Sequence, residues 1–298
     1  MPTMLPFLTV LGIAQDGGVP QAGGHWHPAW GDRSLRRHAA CLGIADPATN
    51  QRWMIECTPD FREQLHHLCA GSLPGGSPLL SGIALTHAHI GHYAGLVHLG
   101  REAMGVRGLP LLVMPRMAEF LKRNAPWEML IQERNVELVV MKPNHATPLN
   151  ERLSLTPILV PHRDEYSETV AFVIAGPQIR VLFLPDIDRW ELLDAWGTRI
   201  EELLASVDVA YLDATFFDRN ELPGRNMTLV PHPTITESME RFAKLPETER
   251  RKIRFIHLNH TNPALDPNTA ARQAIAEAGY AVAEEGEVVG NDERSLGY

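Results

Sequence analysis

His87, His89 and His92 fall within six residues of one another in Leu85-Thr86-His87-Ala88-His89-Ile90-Gly91-His92. Three imidazoles this close repel one another when protonated and lose side-chain entropy when ordered, so the grouping is costly unless something binds to it. The run Ile83, Ala84, Leu85 reads as a buried strand, and apolar residues at helical spacing follow, so the trio lies on a strand, loop and helix. At the mouth of a strand His87 and His89 can project to one side and chelate one cation, leaving His92 on the next turn for a second. Farther along, a hydrophobic strand ends in Pro185-Asp186-Ile187-Asp188. A carboxylate there is costly unless solvated or bound, and one that bridges two cations lowers their mutual repulsion. Asp188 reads as the cap of a following helix. Imidazoles and carboxylate without thiolate suit zinc, one or two ions, and equally iron or manganese. Water shared by two such cations is available as hydroxide near neutral pH, which makes metal-assisted hydrolysis the expected chemistry.

At the histidine trio the chain resembles the metallo-β-lactamase superfamily, whose signature is His-x-His-x-Asp-His. Gly91 stands at the Asp position. Because that Asp is a ligand of the family's second metal, the resemblance implies an intact first site and a second site lacking one anion. It further implies His162, at the end of the strand before Arg163-Asp164-Glu165, as the third ligand of the first metal. Asp186 matches the bridging Asp, and His260 matches the last ligand of the second metal, with His257 as the alternative or as an outer donor. The implied sets are His87, His89 and His162 for one metal, and His92, Asp186 and His260 for the other. Asp213-Ala214-Thr215 resembles the acid-Ala-Thr motif of tRNA 3′-processing endonucleases and related phosphodiesterases, and His232-Pro233-Thr234 resembles their His-x-Thr motif. In those relatives the His faces the leaving group and the acid orients it. A carboxylate that fixes the tautomer and raises the pKa of an imidazole suits proton donation. The expected catalytic residues are therefore His232, Asp213 and Asp186. A broader resemblance, to pyrroloquinoline quinone biosynthesis protein B and its relatives, rests on Leu11-Gly12, Gly17-Gly18-Val19-Pro20-Gln21, Cys57-Thr58-Pro59-Asp60 and Asn262-Pro263.

The elements that must position these residues alternate between strands and helices. Strands are expected over 7–13, 109–114, 136–141 and 207–212, and hairpins over 41–57 and 170–184. Residues 17–31, rich in Gly and Pro and carrying His25-Trp26-His27, read as an irregular surface loop, as do Gly71 to Pro78. Thr58-Pro59-Asp60 reads as a helix start, with Thr as the cap. Trp190, Leu193, Trp196, Ile200, Leu203 and Leu204 repeat at the spacing of one amphipathic helix whose tryptophans pack inward. Asn262 is expected to orient its loop. The last strand is taken to run up to His260, and the tail from Val282 to be a short strand plus a polar end. Together with the resemblance, this pattern predicts an α/β protein, an αββα sandwich of two mixed sheets flanked by helices, formed as a single domain with pseudo-halves of about 1–150 and 151–298.

A chain of 298 residues, 44% hydrophobic and 21% charged, can bury a substantial core. Its 27 basic and 36 acidic side chains give a net charge of −9 with no basic cluster, which argues against general nucleic-acid binding. No apolar run approaches a membrane span, and Met4 to Ala14 lacks the basic flank of a signal peptide. Three cysteines without metal-type spacing point to a reducing, cytoplasmic setting. The expected partner is a small-molecule substrate, and a homodimer is compatible with these totals. Three functions compete: a metal-dependent hydrolase of a small ester or phosphodiester, an oxidative or carrier role in cofactor maturation like that of the quinone-biosynthesis relatives, and a non-catalytic metal-containing binding domain.

Overall fold

The computed structural model describes residues 4–70 and 79–290, so the Gly71 to Pro78 loop and the end of the tail lie outside the described residues. Side-chain alternation along β1 (Phe7–Gly12), β2 (Cys41–Asp46), β3 (Gln51–Ile55), β4 (Gly82–Ala84) and β5 (Leu109–Val113) sends residues to two separate cores. Leu8, Val10, Leu42, Ile44, Ile55 and Leu112 face the second sheet. Leu11, Met54, Ile83, Leu111 and Val113 instead pack beneath α1 (Phe61–Cys69), α3 (Pro115–Arg123) and α4 (Trp127–Gln132). The short α2 (Ile90–Tyr93) lies between α1 and α3 in the chain, and β6 (Val136–Val140) closes one edge.

The second sheet takes β7 (Thr147–Pro148), β8 (Ser154–Leu159), β9 (Val170–Ala175), β10 (Arg180–Leu184), β11 (Val209–Asp213), β12 (Ile253–Ile256) and β13 (Ala281–Val282). The last strand, β14 (Val288–Val289), returns to pair with β1. Among the described residues the two sheets run β14-β1-β2-β3-β4-β5-β6 and β13-β12-β11-β10-β9-β8-β7. Both mix parallel and antiparallel pairs. Outside the second sheet lie α5 (Trp190–Ala195), α6 (Ile200–Ala205), α7 (Ile235–Phe242), α8 (Glu247–Arg250) and α9 (Ala270–Glu277). Trp190, Leu193, Ile200, Leu204, Ile235, Phe242 and Ile275 anchor α5, α6, α7 and α9 in the same core cluster, whereas α8 buries no side chain. The result is the expected αββα sandwich. All three cysteines are free, and among the described residues no helix is long and apolar enough to cross a membrane.

Direction is what this topology contributes to function. Strands β10, β11 and β12 are parallel to one another. Because β9 is antiparallel to both β8 and β10, β8 runs with them as well. In the first sheet β3 and β4 are parallel, and β1 runs with β3 because both oppose β2. The carboxyl ends of strands that run together therefore deliver Asp16, Glu56, Thr86 and His87 from one sheet, and His162, Asp186, Asp213 and His257 from the other.

Three local expectations are corrected. The segment after Asp188 is two helices, because Gly197 takes the left-handed conformation (φ +84°) between α5 and α6. Trp190 is buried and donates to Ser238 Oγ, whereas Trp196 is 57% exposed. Asp188 does not cap α5, whose first turn has no side-chain cap. Helix α1 begins at Phe61 rather than at Pro59, although Thr58 Oγ1 still accepts from Asp60 N–H as a cap would; the same hydroxyl donates to Gln64 Oε1, and Asp60 Oδ2 accepts from Ala39 N–H.

Candidate metal centre

The first group consists of His87, His89 and His162, with one ring nitrogen of each within 4.8 Å of the others. His162 Nε2 and His89 Nδ1 stand 3.3 Å apart. That matches the edge of a tetrahedron with metal–nitrogen bonds of about 2.0–2.1 Å, which comes to roughly 3.3 Å. Each ring is held by its other nitrogen. Thr86 Oγ1 donates to Glu56 and so accepts from His87 Nδ1 at 2.9 Å, turning the His87 Nε2 lone pair inward. His162 Nδ1 donates to Asp188 Oδ1 at 2.9 Å, and His89 Nε2 lies 3.5 Å from Glu165 Oε2. Asp188 thus contacts His162 instead of capping α5, in the arrangement usual for outer partners of metal-ligating histidines. Burial, followed by neighbouring imidazoles, lowers the proton affinity of His87 and His89 and keeps them neutral, as ligands must be.

The second group is Asp16, His92 and His257. His92 Nε2 lies 3.2 Å from Asp16 Oδ1 and 3.1 Å from Asp186 Oδ2. His257 Nε2 lies 4.0 Å and 3.4 Å from the same two oxygens. Asp186 joins the groups: its Oδ2 faces His92 and His257, while its Oδ1 is 3.6 Å from His162 Nε2. This is the placement of a bridging carboxylate. Glu56 Oε1 accepts from His92 Nδ1 at 3.2 Å, and Thr215 Oγ1, which donates to Asp213, accepts from His257 Nδ1 at 3.2 Å. Burial disfavours a proton on His92, but the carboxylates of Glu56, Asp16 and Asp186 outweigh it and hold the imidazole well above its usual range. A pocket with that electrostatic bias favours a cation.

Five buried atoms, Asp16 Oδ1, His87 Nε2, His92 Nε2, Asp186 Oδ2 and His257 Nε2, have no hydrogen-bond partner. Buried polar atoms are rarely left so, because each forfeits its desolvation cost. Here they converge on one space and belong to donor types that suit zinc. The residues present therefore fit the metals that the sequence implies.

Beside the cluster, Asp213 Oδ2 accepts from His232 Nδ1 at 2.7 Å and from Ile187 N–H, and its Oδ1 accepts from Thr215 N–H and Oγ1. With its oxygens so occupied, Asp213 is placed to orient the His232 ring. Burial lowers the proton affinity of His232, yet the Asp213 carboxylate reverses this and raises it above the usual value. The ring centroids of His232 and His162 are 5.3 Å apart. A cleft of about 620 Å³ lined by Arg189, Trp190, Arg219 and Pro233 adjoins this side, but it contains none of the clustered histidines.

His260 is the misplaced residue. Strand β12 ends at Ile256, and His257 turns out of it with φ +66°. His260 instead packs beneath the 17–31 loop, with its ring centroid 5.5 Å from Trp26 and its carbonyl accepting from His27 Nε2. No motif or spacing in the sequence singles out Asp16 or Glu56. Asp16 (φ +23°), Glu56 (φ +81°) and His257 share positive φ, a conformation that non-glycine residues seldom adopt and that collects at functional sites. Asn262 does orient its loop: its Nδ2 donates to Ala214 O and its Oδ1 accepts from Ala264 N–H.

The neighbouring loop contains Glu221, whose oxygens accept from Thr261 Oγ1 and Phe217 N–H. Burial, only partly offset by these bonds, pushes its carboxyl up to about 7 from 4.5. The folded state then keeps a proton that the unfolded chain has released, so this residue subtracts stability as pH rises from about 4.5 to about 7, and by a constant amount above that. Glu221→Gln, whose amide can donate to Thr261 while its oxygen accepts from Phe217, should gain roughly 1–3 kcal/mol relative to the native chain on going from pH 5 to pH 8. Urea titrations at the two pH values that shift both proteins equally would refute this.

Residues 51–282 match the family model described as a beta-lactamase superfamily domain. The chain belongs to that superfamily. Coenzyme PQQ synthesis protein B of Xanthomonas campestris pv. campestris (strain B100) is 28% identical to this superfamily member, over 94% of this chain and 98% of the relative. Zinc-bound PqqB from Methylobacterium extorquens superposes with a TM-score of 0.77 at 21% identity, covering 95% of this chain and 99% of that one. A diphosphatase from the PhnP family superposes with a TM-score of 0.66, also at 21% identity, covering 96% and 97%. At those identities the two structures speak to the fold alone. This superfamily member thus combines the αββα fold with a donor set gathered at the strand ends.

Proposed function

We propose that this protein is a metal-dependent hydrolase of small phosphodiesters or esters that holds two zinc ions. The observation carrying the reading is Asp186, whose two oxygens face two separate imidazole groups, as a bridging ligand's must. His87, His89 and His162 would hold one ion, and His92 and His257 the other. When bound, the ions supply a water of lowered pKa and stabilise the oxygen that gains charge. The chain's own contribution is positional. Thr86, Glu56, Asp188 and Thr215 fix ring orientations through the nitrogens that face away from the metals. His232, whose proton affinity the Asp213 carboxylate raises, delivers a proton to the departing group. What supports phosphoryl chemistry is the Asp213 and His232 pair. The test is turnover of bis(p-nitrophenyl) phosphate by zinc-loaded protein, expected to be abolished by chelator and by His87→Ala. Equal rates in the variant and the parent would sink it.

A second reading, a role like that of coenzyme PQQ synthesis protein B, draws support from 28% identity across nearly the whole of both chains. Its expected signature is zinc-loaded protein with no turnover of phosphodiesters or esters.

A further inference from the structure

Position 91, where the superfamily signature carries Asp, is glycine, yet the second group does not lack an anion. A Cβ built on Gly91 would lie 2.3 Å from Asp16 Oδ1, 2.5 Å from Asp16 Cα and 2.7 Å from Asp16 Cβ. Real Cβ atoms essentially never make such contacts, and one of these partners is backbone, which cannot swing aside as the tip of a side chain can. Asp16 therefore fills the volume that a side chain at 91 would need. Its Oδ1, buried and without a hydrogen-bond partner, lies 3.2 Å from His92 Nε2, itself buried and unpartnered.

The loop holding Asp16 is fixed to the segment that presents His257. Gln15 N–H donates to Leu258 O at 2.8 Å, Leu258 N–H donates to Ile13 O at 2.9 Å, and Asn259 Nδ2 donates to Gln15 Oε1 at 2.7 Å. Gly18 N–H closes the turn on Gln15 O at 2.8 Å. Asp16 is thus placed by the same backbone bonds that place His257.

Resting on the two-metal reading above, we infer that Asp16 supplies the second cation with the carboxylate that position 91 lacks, and that Gly91 is glycine because Asp16 occupies its side-chain space. The charge count of the site is conserved while the anion moves from the histidine loop to the end of β1. An occupied second site ties together the end of β1, α2 and the end of β12.

Zinc titration of the metal-free protein by calorimetry, with bound zinc counted after dialysis, tests this without reference to activity. The parent should bind two zinc ions. Outer partners of metal ligands contribute roughly 10–100-fold to affinity, so removal of a direct ligand in Asp16→Asn should weaken the second ion by at least about 100-fold and leave the first bound. Asp32→Asn, an exposed carboxylate farther along the same segment, should bind like the parent. Gly91→Ala should weaken the second ion as well, although it removes no ligand, because the methyl group displaces Asp16. Should Gly91→Ala fail to fold, Asp16→Asn decides alone. Two zinc ions held at parental affinity by Asp16→Asn would overturn the inference and spare the two-metal reading, as would loss of the first ion in place of the second. A parent that binds a single zinc, or none, would overturn the two-metal reading and the inference with it.

Discussion

Asp186→Ala should release the second zinc ion, loosen the first, and lower bis(p-nitrophenyl) phosphate turnover by on the order of 10³-fold or more. The size follows from position. Asp186 is almost fully buried, and its two oxygens address His162 on one side and His92 and His257 on the other. Without it the two cations would face each other across a pocket from which water is largely excluded, and their repulsion would be unscreened. Cation chemistry contributes several kcal/mol to such reactions, and each 1.36 kcal/mol is about tenfold in rate. Asp186→Asn, which keeps the shape and removes the charge, should fall between the parent and Asp186→Ala in zinc content. Metal analysis and kinetics on the same samples check this, and parental zinc with parental rate in Asp186→Ala would exclude the bridging role.

Asp213→Asn and His232→Ala should leave zinc content unchanged and slow turnover according to the leaving group. For an alkyl phosphodiester, whose departing oxygen must be protonated, the loss should be roughly 10²–10⁴-fold. For a p-nitrophenyl ester, which departs as a stable anion, it should be less than about tenfold. The geometry behind this is the 2.7 Å bond between Asp213 Oδ2 and His232 Nδ1, which leaves Nε2 as the nitrogen free to donate. Asn at 213 can still accept from Nδ1, but it no longer raises the proton affinity of the ring. Equal losses on both substrates would mean that the pair positions the site rather than protonating the leaving group. Lost zinc would mean that the pair belongs to the metal sites themselves.

How much of this was legible in the sequence depended on how local each feature is. The histidine trio could be read because strand, loop and helix follow one another within a dozen residues, with apolar periodicity marking both sides. Asp186 and Asp213 could be read because each ends an apolar strand, where an unmatched carboxylate would be costly. The strands of both sheets were evident for the same reason, since burial on both faces leaves long apolar runs such as Val181 to Leu184. The segment after Asp188 reads as one helix because its apolar spacing continues across Gly197, and only the left-handed turn there shows the break.

His257, Glu56 and Asp16 mark the boundary. By itself the sequence determined the chemistry: imidazoles and acids at strand ends, a cation as their common partner, and a layered α/β fold to hold them. Tertiary structure decided which acid and which histidine complete the second group. His257 replaces His260 because the chain leaves β12 with positive φ after Ile256, which spacing does not encode. Asp16 reaches His92 only because β1 and β12, far apart in the chain, are joined through Ile13, Gln15 and Leu258. Periodicity reports which way a side chain faces within its own element, whereas a site built from seven strand ends depends on how those elements are registered against one another.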